Sequence, residues 1–196
     1  PKEVATLTLE FKSDEGFDED ESDKVEEHAS CLENGHRDIK LEDCFRKFAE
    51  KEQLGETEMW YCGKCKEHQR AYKKLDLWSA PEILILHLKR FQYAQNTYFV
   101  HRQKLDDRVA FPVENLDLSP HVLDPESRRS AQYDLYAVSE HSGGLGGGHY
   151  TATAKDDNTG VWYHYNDSVV SRADGVQESD PKAYVLFYKR RPGKSS

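Results

Sequence analysis

Cysteine and methionine are scarce in this sequence, which has four cysteines and one methionine in 196 residues. The thiols, at Cys31, Cys44, Cys62 and Cys65, are too few and too irregularly spaced to staple a chain of this length. Metal-binding or buried thiols in a reducing compartment fit better than a disulfide scaffold. No run approaches the ~20 apolar residues that a membrane span requires. No basic segment followed by an apolar stretch opens the chain, so no secretory signal is visible either. Basic residues are outnumbered 27 to 36, for a net charge of −9. That balance argues against a nucleic-acid backbone as partner and suits a basic protein ligand. There are no internal repeats. The first residue is proline rather than methionine, so the chain reads as a fragment or a processed product.

What is present is unevenly distributed. Val4 to Phe11 alternates apolar and polar residues and predicts a strand. Asp14 to Glu27 is acidic and has only Phe17 and Val25 as sizeable apolar residues, so it predicts a solvated, disordered connector. Leu41, Cys44, Phe45 and Phe48 fall at helical spacing within Leu41 to Ala49, which makes Cys44 a small buried hydrophobe on the packed stripe.

Beyond Tyr72 the signals turn to β. The continuous apolar run Ile83 to Leu88 suits a strand buried on both faces. Val109 to Pro112, Tyr133 to Val138, His149 to Lys155, Val161 to Tyr165 and Tyr184 to Tyr188 predict further strands. Asp124 to Ser130 reads as a polar loop, Gly143 to Gly148 as a glycine-rich loop, and Asp156 to Gly160 as a hairpin turn. The class is α+β with a mostly antiparallel sheet.

Two motifs carry chemistry. Cys62-Gly-Lys-Cys65 places two thiols on one tight turn, the spacing that fills adjacent positions of a tetrahedral zinc site. It is half a site. His68 is a candidate third ligand, and a redox reading lacks the βαβ context it needs. The second motif is Gly146-Gly-Gly-His149-Tyr150, followed by Tyr165-Asn-Asp-Ser168. Pairing of the two strands brings Asn166 or Asp167 beside His149, where either can orient the imidazole. That is the base-and-orienter half of a Cys-His-Asn or Cys-His-Asp triad. A structural histidine in a glycine-rich hairpin is the rival reading, and residue chemistry alone leaves both open. His87, His101, His141 and His164 have no comparable constellation.

Six stretches in order sharpen this: Trp60-Tyr-Cys-Gly-Lys-Cys65, Lys73 to Trp78, Leu86-His-Leu-Lys-Arg-Phe91, Gly143 to Ala152, Tyr165 to Ser168 and Ala183-Tyr-Val-Leu-Phe-Tyr188. Together they resemble the C-terminal half of the catalytic domain of ubiquitin-specific proteases, in particular the group containing ubiquitin-specific proteases 4, 11 and 15. The resemblance runs from about Leu41 to Arg191. It implies a papain-like cysteine protease fold with a fingers-and-palm sheet and a zinc-knuckle element. Residues 1–40 would be a strand plus a flexible connector, the remnant of an insertion, and 192–196 a disordered tail.

The resemblance also implies a deubiquitinase that hydrolyses the bond after ubiquitin's C-terminal glycine. His149 would be the base, with Asn166 as third triad member and Asp167 sharing its load. Arg90, Phe91, Ser142, Gly148 and Tyr150 would line the narrow channel for the Gly-Gly tail. The nucleophilic cysteine, and a second cysteine pair completing the zinc site with Cys62 and Cys65, would lie upstream, in the N-terminal half of the same domain. The partners implied are that half, ubiquitin, and ubiquitinated proteins or polyubiquitin, with no nucleic acid and no membrane, in the cytoplasm or nucleus. Two rivals remain. Cys31 precedes His149 and Asn166 in papain's order, but an acidic run just before it disfavours a thiolate. The other is a non-catalytic ubiquitin-binding scaffold of the same fold.

Overall fold

The computed structural model describes residues 4–9, 39–55, 58–95, 100–144 and 146–192. The acidic connector, Cys31, Leu145 and the last four residues lie outside these. In chain order the strands begin with β1 (Val4–Leu9), β2 (Ile39–Lys40), β3 (Glu52–Gln53), β4 (Trp60–Cys62), β5 (Glu67–Gln69) and β6 (Tyr72–Lys73). Then come β7 (Ile83–Leu88), β8 (Phe91–Gln95), β9 (Val100–Lys104), β10 (Val109–Ala110) and β11 (Leu116–Asp117). The last five are β12 (Gln132–Gly144), β13 (Gly147–Lys155), β14 (Trp162–Asn166), β15 (Val169–Ala173) and β16 (Ala183–Arg190). Helix α1 spans Leu41–Phe48 and α2 spans Pro125–Arg128.

One eight-stranded sheet dominates, in the order β1-β7-β16-β12-β13-β14-β15, with β11 added alongside β12. The expected α+β class with a mostly antiparallel sheet is found; β1 on β7 and β10 on β2 are parallel exceptions. The final strand, β16, lies inside the sheet between β7 and β12. Four two-stranded ribbons complete the β structure described.

Strand β7 departs from the expectation of burial on both faces. Leu84, Leu86 and Leu88 are buried, whereas Ile83, Ile85 and His87 are only half-buried. One face of the strand packs on the core, and the other carries His87 edge-on to the ring of Tyr184, 4.7 Å between centroids. Helix α1 buries the predicted stripe of Leu41, Cys44 and Phe45. Its acids, Glu42 and Asp43, stand in the first turn and its bases, Arg46 and Lys47, in the last, which complements the helix dipole. Cys44 is 2% exposed, and burial pushes its thiol up to about 11.

The segment expected to be a polar loop at 124–130 contains α2. Asp124 caps it by accepting from the backbone N–H of Ser127 at 3.0 Å, and Pro125 opens the first turn. The glycine-rich loop is shorter than predicted, because β12 and β13 stay paired out to Gly144 and Gly147. The core is a single cluster that joins the apolar faces of β1, β7, β12 and β16 to α1 and to Phe111, Leu118 and Val122. Two buried phenols are satisfied within it, with Tyr133 donating to the carbonyl of Pro81 and Tyr188 to that of Pro112.

Candidate functional site

Adjacent antiparallel strands turn separation in sequence into contact. Strands β13 and β14 pair through Ala152↔Tyr165 and Thr153↔His164, joined by the Asp156–Gly160 turn anticipated from its composition. This register carries His149, near the start of β13, to Asn166, at the end of β14. The His149 Nε2 donates to the Asn166 Oδ1 at 2.6 Å. A carboxamide oxygen can only accept, so Nε2 holds the proton and the Nδ1 lone pair is left to act as a base. Both residues are exposed, at the open end of the sheet.

Asp167 follows in the two-residue turn to β15, where Asn166 pairs with Val169. Its φ of 50° is in the left-handed region, which Asp tolerates better than most residues. The turn makes Asn166, and not Asp167, the hydrogen-bond partner of His149 in this structure.

The glycines before His149 have steric reasons. Gly143 has φ 103°, and a Cβ there would meet the carbonyl oxygen of Gly147 at 2.8 Å. At Gly148 a Cβ would fall inside the imidazole of His141 and 2.8 Å from the carbonyl oxygen of Ser142. Ser142 pairs with His149 across the strands and is exposed.

On the opposite face the rings of Tyr150 and His141 stand 4.6 Å apart, His141 and Phe91 5.3 Å, and Phe91 and Tyr184 5.6 Å. Four of the residues assigned to the channel, Phe91, Ser142, Gly148 and Tyr150, thus gather around the same pair of strands. His141, which showed no constellation in the sequence, is at the centre of the aromatic group. It is 4% exposed, and burial, with the charge of Lys104 nearby, pushes it below the usual histidine range. Its Nδ1 has no hydrogen-bond partner among the described residues.

Arg90 is elsewhere. Its side chain is fully buried, and it donates to the backbone carbonyls of Ala183, Leu105 and Asp107 at 2.7, 3.1 and 2.7 Å. A guanidinium so engaged has no surface to offer a ligand. It braces β16 against the segment after β9, and in this structure it is buried and not on the surface expected of a channel wall.

Cys62 and Cys65 sit at the tip of the β4–β5 hairpin. There Lys66, at φ 58°, donates to the carbonyl of Cys62 at 2.7 Å, and the Cys65 N–H lies 3.5 Å from the Cys62 sulfur. The N–H groups of Cys65 and Lys64 and the Cys65 thiol lower the pKa of Cys62, favouring the thiolate that a metal takes. His68 is paired with Tyr61, their rings 5.4 Å apart. Among the described residues no group of three His, Cys, Asp or Glu is close enough to hold a metal ion. In donor chemistry the turn fits two positions of a tetrahedral site and no more.

Comparison with known proteins places this arrangement in a family. The chain is 47% identical over 177 residues to ubiquitin carboxyl-terminal hydrolase 15 of Homo sapiens, covering 89% of this chain and 18% of that protein. It is 47% identical over 193 residues to ubiquitin carboxyl-terminal hydrolase 4 of Bos taurus, covering 95% and 20%. The chain therefore spans about a fifth of the length of these relatives. Among solved structures it resembles a chain of the SAGA Ubp8/Sgf11/Sus1/Sgf73 DUB module bound to ubiquitin aldehyde. That match has a TM-score of 0.62 and 29% identity, covering 96% of this chain and 36% of that one. Residues 3–188 match the family profile described as Ubiquitin carboxyl-terminal hydrolase. With nearly its whole length inside that match and its strands laid out as in a solved relative, the chain belongs to the ubiquitin carboxyl-terminal hydrolase family.

Proposed function

We propose that this chain is the base-bearing half of a thiol-dependent deubiquitinase that hydrolyses the peptide or isopeptide bond after the C-terminal glycine of ubiquitin. The observation that carries the reading is the 2.6 Å hydrogen bond from His149 Nε2 to Asn166 Oδ1, which leaves Nδ1 unprotonated as a proton acceptor. A cysteine thiol from the upstream half of the domain gives its proton to Nδ1, and the thiolate attacks the carbonyl carbon of the ubiquitin terminus. The imidazolium then protonates the departing amine. In the second stage His149 takes a proton from water, which cleaves the thioester and frees the ubiquitin carboxylate. Asn166 holds the ring in the productive tautomer throughout. Being neutral, it supports the imidazolium less than a carboxylate would. Asp167 stands one residue away as the nearest acidic neighbour in sequence.

Ser142 shares the face of His149, while Phe91, Gly148 and Tyr150 stand with His141 on the other face of the same two strands; we assign these four to the channel that takes ubiquitin's Gly-Gly tail. The relative solved with ubiquitin aldehyde supports ubiquitin, alone or in conjugates, as the ligand. Trp60 and Trp78, 70% and 68% exposed, join Met59, Tyr61, Tyr72 and Leu75 as large exposed apolar side chains. This is the surface we assign to contact with the N-terminal half of the domain. Cys62 and Cys65 would hold a zinc ion together with a cysteine pair from that half, and the metal would cross-link the finger hairpin to it. The protein works in the cytoplasm or nucleus on this reading.

The test is to react the parent protein, upstream segment included, with ubiquitin carrying a cysteine-reactive C-terminal group. An adduct on an upstream cysteine that His149→Ala slows sharply is the expected result. An adduct on Cys31 would move the nucleophile into this chain. No adduct and no turnover would leave a ubiquitin-binding scaffold.

A further inference from the structure

The face of the sheet that carries His149 holds a second polar cluster, one row further in. Along β13, Thr151 and Thr153 follow His149 at alternate positions and share its face, as do Glu140 and Ser142 on β12 and His164 and Asn166 on β14. Glu140 pairs with Thr151, and its Oε2 accepts from the Thr151 hydroxyl at 2.9 Å. The same oxygen lies 3.8 Å from Nδ1 of His164, which in turn is 3.1 Å from the hydroxyl of Thr153. The Glu140 side chain is only 14% exposed. Over residues 138–142, 149–155 and 162–166, Glu140 is the one carboxylate on this face.

We propose that Glu140 is a positioning residue for His149, acting through Thr151 and through its charge. The proposal rests on the function assigned above. When His149 takes the thiol proton a positive charge develops on its ring, and Asn166 meets it with a dipole only. A fixed carboxylate stands a diagonal step away, at about 7 Å by strand geometry. Being shielded from water, it acts more strongly on that charge than an exposed one at the same distance. Its bond to Thr151 also fixes the residue two places beyond the base on the same strand face. Glu140 thus supplies, from the row behind, the negative charge that the orienter lacks. His164 is the other titratable group on this face within reach of Glu140. Arg172 of β15 pairs with Tyr163 and belongs to the opposite face.

A bland alternative exists: a carboxylate, two threonines and a histidine that only tie three strands together. Steady-state hydrolysis of a fluorogenic ubiquitin amide by the parent protein separates the two. Glu140→Gln keeps the shape and an acceptor for Thr151 but removes the charge. The expected result is a fall in kcat of about 10-fold with KM and melting temperature held. Thr151→Val is expected to lower kcat as well, and Thr151→Ser to recover most of that loss. An unchanged kcat in Glu140→Gln would overturn the proposal. So would losses in which KM and melting temperature move together with kcat, since those mark a structural role. If the unaltered protein neither turns over substrate nor reacts with the ubiquitin probe, the proposed function itself fails. That result is distinct from an active protein whose Glu140 variant behaves normally.

Discussion

Gly148 and His141 face each other across the β12–β13 pair so closely that no side chain fits between them. A Cβ on Gly148 would lie 2.7 Å from Cε1 of the imidazole, with the carbonyl of Ser142 at 2.8 Å on its other flank. His141 cannot retreat, because Phe91, Tyr150 and Tyr184 surround its ring. Gly148→Ala therefore has to part the strands next to His149. The expected cost is about 1–3 kcal/mol of stability, as for other overpacked sites. Turnover should fall further than the stability loss explains, because His149 is the next residue. Chemical denaturation alongside ubiquitin-amide kinetics checks both.

Asn166 offers a sharper test of the role proposed for His149. Asn166→Ala frees the ring and its tautomer, and kcat should drop by about 10²-fold or more. Asn166→Asp restores an acceptor and adds a charge, so it should match or exceed the original rate. Asp167→Asn, in the turn, should cost far less than Asn166→Ala. Equal losses at 166 and 167 would show that the hydrogen bond between His149 and Asn166 is not what orients the base.

These residues also show how far the sequence could be read. The His149–Asn166 contact was legible because a hairpin turn rich in Asp, Asn and Gly joins two short strands, so local chemistry sets the register. Arg90 was misread. Its position after β7 was visible, but the direction of its side chain depends on carbonyls contributed from residues 105, 107 and 183. The parallel pairing of β1 with β7 is equally non-local and leaves no signature in either strand. Helix α2 was legible in principle, since Asp124-Pro125 is a capping signal, but four residues give too little periodicity to separate it from a loop. The Glu140 cluster needed a register in three strands at once.

Arg90→Met should act on the fold. Removing the guanidinium leaves the buried carbonyls it served without that donor, at an expected cost of about 2–5 kcal/mol. KM for ubiquitin substrates should hold in whatever fraction stays folded. A rise in KM without a loss of stability would return Arg90 to the ligand channel.

The thiols should separate by chemistry. Cys62, with a lowered pKa at an open hairpin tip, should alkylate quickly once metal is chelated, while buried Cys44 stays protected until the protein unfolds. Chelation should also lower the melting temperature of the parent protein, and intact native mass should show zinc lost. A metal-free native mass with unchanged stability would rule out the zinc assignment.

Alkaline pH gives an independent check on Cys44. Its thiol sits at about 11 in the folded protein against an ordinary value of 9.0, so the folded state binds the proton more tightly than the unfolded chain. Its contribution is fully present below pH 9, is lost as pH rises from 9 towards 11, and levels off above that. The difference amounts to roughly 3 kcal/mol. Cys44→Ala should flatten this part of the stability profile while lowering stability at neutral pH through the cavity it leaves. Denaturant midpoints between pH 8 and 11 supply the measurement.

The inside position of β16 has a consequence for how the protein is made. The strand that joins β7 to β12 is the last of the sixteen described strands to leave the ribosome, so until Ala183–Arg190 has emerged β7 and β12 have no shared neighbour. The β12–β13–β14 hairpins that present His149 can form earlier, held by β11 and the apolar residues packed on β12, but without β16 they are not joined to β7. A message cut short before Ala183 would then yield a chain with both His149 and Asn166 and no strand to join their hairpins to β7. Premature termination should produce clients for degradation and not weakly active enzymes.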